Sequence, residues 1–197
     1  MILEEHVDHI LIDRDRLQAR VAELADEISR DYAGVDNLLL VCVLKGAVMF
    51  LSDLSRLLTI PHAIDFMAVS SYGASTESSG IVRILMDLET NILDRPVLII
   101  EDIIDSGRTL DYIIRNLSTR GPANLKICTL LDKKERRVIP IPVDYVGFEI
   151  PDEFVIGYGL DFADLYRNLP FVGVLKPEFY ESVDQTDIEA HEHKSSF

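Results

Sequence analysis

Val97-Leu98-Ile99-Ile100-Glu101-Asp102-Ile103-Ile104-Asp105-Ser106-Gly107-Arg108-Thr109-Leu110 changes character twice along its length. The run Val97–Ile100 has no polar alternation, the pattern of a strand buried on both faces of a parallel sheet. Two adjacent acids then end the strand, and a short loop carrying Ser, Gly and Thr follows. Leu110, Ile113, Ile114 and Leu117 recur at helical spacing until Gly121-Pro122 stops the helix, and Leu125–Leu131 is again strand-like. Strand, helix and strand at this spacing predict a right-handed parallel crossover. Ligands of open α/β sheets bind beyond the carboxyl ends of strands, so the segment from Glu101 to Thr109 is the expected place for a site.

The pattern repeats on either side. Leu17, Val21, Leu24, Ala25 and Ile28 share one helical face, with Asp13 as a plausible cap. Leu38–Leu44 reads as a buried parallel strand, and a helix from about Ala47 to Leu58 should turn Phe50, Leu54 and Leu57 or Leu58 inward before Pro61. Phe66–Ser71 and Ile81–Leu88 read as strands, separated by the polar run Gly73–Gly80, an expected mobile loop. Tyr145–Phe148, Phe154–Tyr158 and Phe171–Leu175 read as short strands between turns bearing Pro and Asp. The fold class is α/β, a mostly parallel twisted sheet flanked by helices.

A length of 197 residues predicts one domain. The 19 Lys and Arg against 34 Asp and Glu give a formal charge of −15, a field that repels nucleic acid and anionic membranes. Apolar runs such as Leu38–Leu44 are too short to span a bilayer, and no secretory signal is expected at the start. Cys42 and Cys128 sit in apolar strand-like runs and read as small buried hydrophobes, with the reducing cytoplasm as the expected location. Residues 1–177 are expected to form the domain. From Glu178 to Phe197 the chain is acidic and poor in aliphatics, an expected mobile tail.

The turn Asp105–Thr109 places backbone N–H groups and two hydroxyls at a helix N-terminus, where the aligned peptide dipoles and unsatisfied donors suit a phosphate monoester. Gly107 lets the backbone come close to such a group. Glu101 and Asp102 could accept hydrogen bonds from vicinal hydroxyls of a sugar. The same residues also fit a plain helix cap beside a solvated strand end. A metal-binding acid cluster of the signalling-receiver type fits less well, because a phosphate-cradling turn follows the acids directly.

Glu101-Asp102-Ile103-Ile104-Asp105-Ser106-Gly107-Arg108-Thr109-Leu110 resembles the phosphoribosyl pyrophosphate (PRPP) motif of type I phosphoribosyltransferases, in its hypoxanthine-guanine branch. Three further blocks agree in order: Leu44-Lys45-Gly46 resembles the family's pyrophosphate loop, Ser70-Ser71-Tyr72-Gly73 the start of the loop that closes over the site, and Gly147–Asp161 the purine-binding hood. The resemblance implies the type I phosphoribosyltransferase fold, with a small hood drawn from the N-terminal segment and about residues 144–175. It implies transfer of a 5-phosphoribosyl group from PRPP to hypoxanthine, and to guanine, with IMP or GMP and pyrophosphate as products.

Residue by residue, the resemblance implies that Asp105 handles the purine N7 proton and that Glu101 and Asp102 hold the ribose hydroxyls. Ser106, Gly107, Arg108 and Thr109 would cradle the 5′-phosphate, Ser106 standing where Thr is common. Leu44, Lys45 and Gly46 would meet pyrophosphate through a cis Leu44–Lys45 peptide, together with Arg167. Lys133 would read the exocyclic O6, Phe154 would stack on the purine, and Val155 would contact its edge through the backbone. Asp161 is implied beside the base or on Mg²⁺, with Glu101 and Asp102 as the other metal-side acids; Ser71 and Tyr72 belong to the closing loop. Read without the family, Lys45 and the run around Lys133 are solvated charges and Phe154 is a core aromatic. Met86 stands where many relatives carry Lys, which should alter surface or subunit contacts. The implied partners are PRPP, a 6-oxopurine base and pyrophosphate, in a homodimer or homotetramer. A non-catalytic PRPP- or nucleotide-sensing regulator of the same fold is the alternative from another class; an orotate or adenine transferase is disfavoured by the hood residues.

Overall fold

The computed structural model describes residues 5–72 and 81–180. Five strands run parallel in a six-stranded sheet: β2 (Leu38–Leu44), β3 (His62–Tyr72), β5 (Pro96–Ile104), β6 (Asn124–Asp132) and β7 (Tyr145–Glu149). An antiparallel edge strand, β4 (Ile81–Met86), completes it in the order β4-β3-β2-β5-β6-β7. The chain steps outward from β2 to β3 on one side and from β5 through β6 to β7 on the other. The order therefore reverses between β2 and β5, which opens a crevice at their carboxyl ends.

The crossovers place helices on both faces. α1 (Arg14–Asp31) and α2 (Val48–Leu57) cover one face, where Leu17, Val21, Leu24 and Ile28 pack with Phe50, Leu54 and the β2 side chains Leu38, Leu40 and Cys42. α3 (Arg108–Ser118) covers the other face, with Leu110, Ile113 and Leu117 against Leu39, Val41, Val97 and Ile99. Both faces of β2 and β5 are thus buried, as their unbroken apolar runs predict. The Asp13 side chain caps α1 by accepting from Arg16 N–H at 2.9 Å, a contact worth about 1 kcal/mol. Cys42 and Cys128 are free and buried. Burial, and then the charges of Glu101 and Asp102, push the Cys42 thiol up to about 12.

A second, antiparallel sheet of order β1-β9-β8 joins β1 (Val7–Ile12), β9 (Val172–Leu175) and β8 (Val155–Ile156) beside the first. This corrects the expected hood boundary: residues 145–149 pair with β6 in the large sheet, and Tyr145 is buried there. β8 is shorter than the Phe154–Tyr158 run, because Gly157 and Tyr158 turn to positive φ of 95° and 50°. β3 starts at His62, before the expected Phe66, since it pairs with β2 in unbroken register from Leu38↔His62 to Leu44↔Ala68. β4 ends at Met86 rather than Leu88.

The expected tail boundary also moves. Glu178, Phe179 and Tyr180 belong to a helical turn, α4 (Pro177–Tyr180), held by the Phe179 ring 4.2 Å from the His6 ring and by Lys176 N–H donating to the His6 carbonyl at 3.0 Å. The rest of the expected tail, 181–197, and the expected loop, 73–80, lie outside the described residues. Among the described residues, no helix is long and apolar enough to cross a membrane.

Candidate active site

β5 does not stop at its acid pair. Ile103↔Leu131 and Ile104↔Asp132 continue its pairing with β6, so Glu101 and Asp102 lie inside a strand rather than at its end, which corrects the expected boundary. A strand alternates its side chains, so the two acids take opposite sides of the sheet. Glu101 is buried, and its Oε2 has no hydrogen-bond partner among the described residues. Burial, reinforced by the Asp102 charge, holds the Glu101 carboxyl well above the carboxylate range. Burial also pushes Asp102 up to about 6, against the Ile103 amide, which donates to its Oδ1 at 2.8 Å, and the more distant Arg167 cation. Glu101 lacks the donors or cations that would favour its charged form, and those that face Asp102 do not outweigh its desolvation.

Gly46 explains how other segments reach this floor. A Cβ at Gly46 would lie 1.5 Å from Asp102 Oδ2, and one at Gly159 would lie 2.0 Å from the Gly46 carbonyl oxygen. The loop after β2, the acid pair of β5 and the loop after β8 therefore meet without room for a side chain. The Leu44–Lys45 peptide beside this junction is cis, as the resemblance implies. The Lys45 ammonium reaches across to Asp164 Oδ1 at 3.1 Å. Arg167 donates to the Gly159 carbonyl at 2.7 Å, and pairs with Asp161 at 2.7 Å and Asp164 at 3.1 Å. Those hydrogen bonds from Lys45 and Arg167 hold the Asp164 carboxyl below its ordinary value.

Beyond β5 the chain turns into α3. Gly107 occupies the N-cap in a left-handed conformation, φ 83°, where a Cβ would also crowd the Ile139 carbonyl and the Ile141 side chain at 3.0 Å. Asp105 and Ser106 do not occupy the N-cap itself, contrary to the plain capping reading. The Asp111 N–H donates to the Gly107 carbonyl at 2.9 Å, which leaves the earlier amides of α3 without an intrahelical carbonyl. The Ser106 hydroxyl is 3.5 Å from Arg108 N, and Arg108 itself is exposed. The Val138 and Ile139 amides both donate to the Ser106 carbonyl, which pins the turn against the segment after the 3₁₀ turn Lys134–Arg136.

A cavity of about 240 Å³ is lined by Asp102, Ile103, Lys133, Phe154, Val155, Leu160 and Asp161. Drug-sized ligands occupy roughly 300–1,000 Å³, so this space suits a bare heterocycle rather than a whole nucleotide. Lys133 leaves the end of β6, its N–H donating to the Ile104 carbonyl at 2.9 Å, and only 9% of its side chain is exposed. Its ammonium has a long contact to Asp152 Oδ1 at 3.4 Å. Phe154 is 39% exposed, with the Phe162 ring edge-on at 5.6 Å. A larger, more open depression of about 540 Å³ is bordered by Lys134, Arg137 and Pro140–Pro142. Its cations are already engaged, Lys134 by Glu149 and Arg137 by Asp132, so the smaller cavity is the better candidate.

Of the residues expected in the site, Asp102, Lys133, Phe154, Val155 and Asp161 share the cavity; Gly46 meets Asp102, Arg167 pairs with Asp161, Glu101 precedes Asp102 on β5, and Asp105–Thr109 lead from β5 into α3. The side chains of Ser71 and Tyr72 lie outside the described residues. Ile103 and Leu160, which line the cavity, and Arg136 escaped the sequence reading. Arg136 Nε contacts Asp105 Oδ1 at 2.9 Å, and its Nη1 contacts Asp152 Oδ1 at 3.3 Å. Its signal was spacing: a single 3₁₀ turn, Lys134–Arg136, follows Lys133, and residues three apart eclipse there, so Lys133 and Arg136 face Asp152 together. Desolvation draws the Asp152 carboxyl upward, but the Arg136 and Lys133 contacts outweigh it and hold it below its ordinary value.

Among the described residues, no cluster of three or more His, Cys, Asp or Glu side chains could hold a metal by itself. The acid pair, with its orphaned oxygen, suits instead a hard cation carried in by substrate oxygens and water.

Comparison with known proteins gives concordant matches. Residues 10–163 match the model of the phosphoribosyl transferase domain family. A hypoxanthine-guanine phosphoribosyltransferase of Mycobacterium avium is 49% identical over 180 residues, 89% of each chain. One from Streptococcus thermophilus is 49% identical over 179 residues, covering 91% of this chain and 99% of that one. The crystal structure of a hypoxanthine phosphoribosyltransferase from Staphylococcus aureus superposes with a TM-score of 0.88 at 46% identity, covering 91% of this chain and 97% of that one.

Proposed function

Because the chain belongs to the phosphoribosyltransferase family, in its hypoxanthine-guanine branch, we propose that it is a purine salvage enzyme transferring the 5-phosphoribosyl group of PRPP to hypoxanthine and guanine. Pyrophosphate leaves as the new bond forms between the anomeric carbon and the base nitrogen. The observation that carries the 6-oxopurine reading is Lys133: a nearly buried ammonium on the cavity wall with only a long contact, 3.4 Å, to Asp152 among the described residues. A carbonyl oxygen satisfies such a donor, whereas the amino group of adenine leaves it unpaired in a dry site.

The remaining roles follow from placement. Glu101 and Asp102 accept hydrogen bonds from the ribose hydroxyls. The amides of Ser106, Gly107, Arg108 and Thr109, with the Ser106 and Thr109 hydroxyls, receive the 5′-phosphate at the positive end of α3. The backbone of Leu44, Lys45 and Gly46 faces the pyrophosphate, and Arg167 orients Asp161 while adding positive charge nearby. Phe154 stacks on the base, and the Val155 backbone meets its edge. Asp105 takes the N7 proton in the forward direction and returns it in reverse. The transition state gains positive charge at the anomeric carbon, so the Asp102 carboxylate, ionised at neutral pH, stabilises it more than the ground state. Glu101, Asp102 and Asp161 would hold Mg²⁺, which would supply charge neutralisation for the leaving pyrophosphate.

The folded unit spans residues 5–180, one domain with its hood, working in the cytoplasm. A homodimer or homotetramer would cover the apolar side chains of Ile64, Phe66 and Met86, which lie exposed on β3 and β4. A steady-state comparison of hypoxanthine, guanine, xanthine and adenine with PRPP and Mg²⁺ tests the assignment. Hypoxanthine and guanine should release pyrophosphate in step with nucleotide, and adenine should be poorer by about 100-fold or more in kcat/KM. No turnover with any 6-oxopurine would overturn it and favour a PRPP-sensing regulator.

A further inference from the structure

We propose that Tyr180, in the short C-terminal turn α4, is a positioning residue for the purine: it backs the Phe154 ring and fixes the wall on which the base stacks. The inference rests on the reading of Phe154 as that wall. The Tyr180 and Phe154 rings are stacked, with centroids 5.1 Å apart and planes 18° apart, while Phe162 meets Phe154 edge-on at 86°. Tyr180 is absent from the cavity lining, whereas Phe154 forms part of it. One ring face is therefore taken by Tyr180, and the cavity meets Phe154 elsewhere.

Phe154 needs such support. It precedes the two-residue strand β8 and is too exposed to be held by the core. A loosely held ring would have to be ordered by each incoming base, and that cost would appear as weaker binding. Tyr180 is itself braced. The Phe179 ring lies 4.2 Å from the His6 ring, and His6 Nδ1 is 2.7 Å from the Tyr166 hydroxyl. Tyr166 adjoins Arg167, which grips Asp161 on the cavity wall. His6, α4 and the loop after β8 thus form one support behind the base. The ring, not the hydroxyl, makes the contact to Phe154, so phenylalanine should serve in its place.

The test compares Tyr180→Leu, which keeps apolar volume without the ring stack, with Tyr180→Phe and Phe154→Ala, using hypoxanthine and PRPP. Tyr180→Leu should raise the KM for hypoxanthine about three- to tenfold, and Tyr180→Phe should restore it. The KM for PRPP and kcat should stay within about twofold, because the lost contact bears on base affinity alone. Phe154→Ala should raise the hypoxanthine KM at least as far. An unchanged hypoxanthine KM in Tyr180→Leu, beside a raised one in Phe154→Ala, would overturn the positioning role alone. A lower KM would mean that the ring obstructs the cavity, and equal losses in both KM values and kcat would mean that it merely holds the fold; either result overturns the proposal. An unchanged hypoxanthine KM in Phe154→Ala would remove the stacking wall and this inference with it.

Discussion

On β5, Glu101 is buried and Asp102 half-buried, with Glu101 Oε2 unpartnered among the described residues, whereas Lys133 and Arg136, just past the end of adjacent β6, both reach Asp152, and Arg136 also reaches Asp105. The acids are raised by burial, while the cations are met by counter-charges. The contrast separates two kinds of preparation. On the proposed reading, sugar hydroxyls and a cation would satisfy the acid pair, whose carboxyls burial meanwhile raises. The Lys133–Arg136 side is already held by Asp152 and Asp105, so on that reading recognition of the heterocycle would need little rearrangement.

The sharpest way to break this contrast is Asp105→Asn. It keeps a hydrogen-bonding group beside Arg136 but cannot carry the proton, and turnover should fall about 10²- to 10⁴-fold. PRPP affinity, measured by equilibrium binding, should hardly change; equal losses in both would contradict the acid–base role. Lys133→Gln addresses the wall. Losing a hydrogen bond from a buried cation should reduce kcat/KM for hypoxanthine about 10- to 100-fold and narrow the preference over adenine. An unchanged ratio between the two bases would show that Lys133 does not read O6.

Asp102→Asn tests the floor with the smallest effect and the opposite sign. Asparagine keeps the acceptor for the Ile103 amide but cannot ionise. The folded Asp102 carboxyl titrates near 6, above a free aspartate at about 3.9. Between these values the folded state retains a proton that the unfolded chain has lost. Asp102 therefore leaves the empty protein most stable below about pH 4, and this stability is lost as pH rises through about 6. At neutral pH the variant should be more stable than the parent by on the order of 1 kcal/mol. Urea unfolding should show the two converging at pH 4, even as the variant loses activity; parallel curves from pH 4 to 8 would exclude the carboxyl as the source.

The large sheet was legible in the sequence because its strands are buried on both faces. Leu38–Leu44 and Val97–Ile100 carry their fate in unbroken aliphatic runs, and α1 and α3 in one apolar stripe each. The hood was much less so. β1 breaks its aliphatics with the adjacent Asp8 and His9, and β8 is two residues long, so their pairing is set by tertiary partners rather than by local pattern. The acid pair was located but placed at a strand end, because polar side chains mask a strand that continues only through its ladder with β6. Arg136 lay inside a charge run that reads as a solvated face until the 3₁₀ turn aligns it with Lys133. The packing of Tyr180 on Phe154 joins residues far apart in the chain, which no local pattern announces.

Gly46 works like the closed jaw of a caliper. With Asp102 against its α-carbon and Gly159 against its carbonyl, the spacing between the larger and smaller sheets is gauged by a single hydrogen atom. On the proposed reading, that spacing is also the length from heterocycle to ribose. A methyl group there would recalibrate the instrument, so that a ligand seated at one jaw would miss the other.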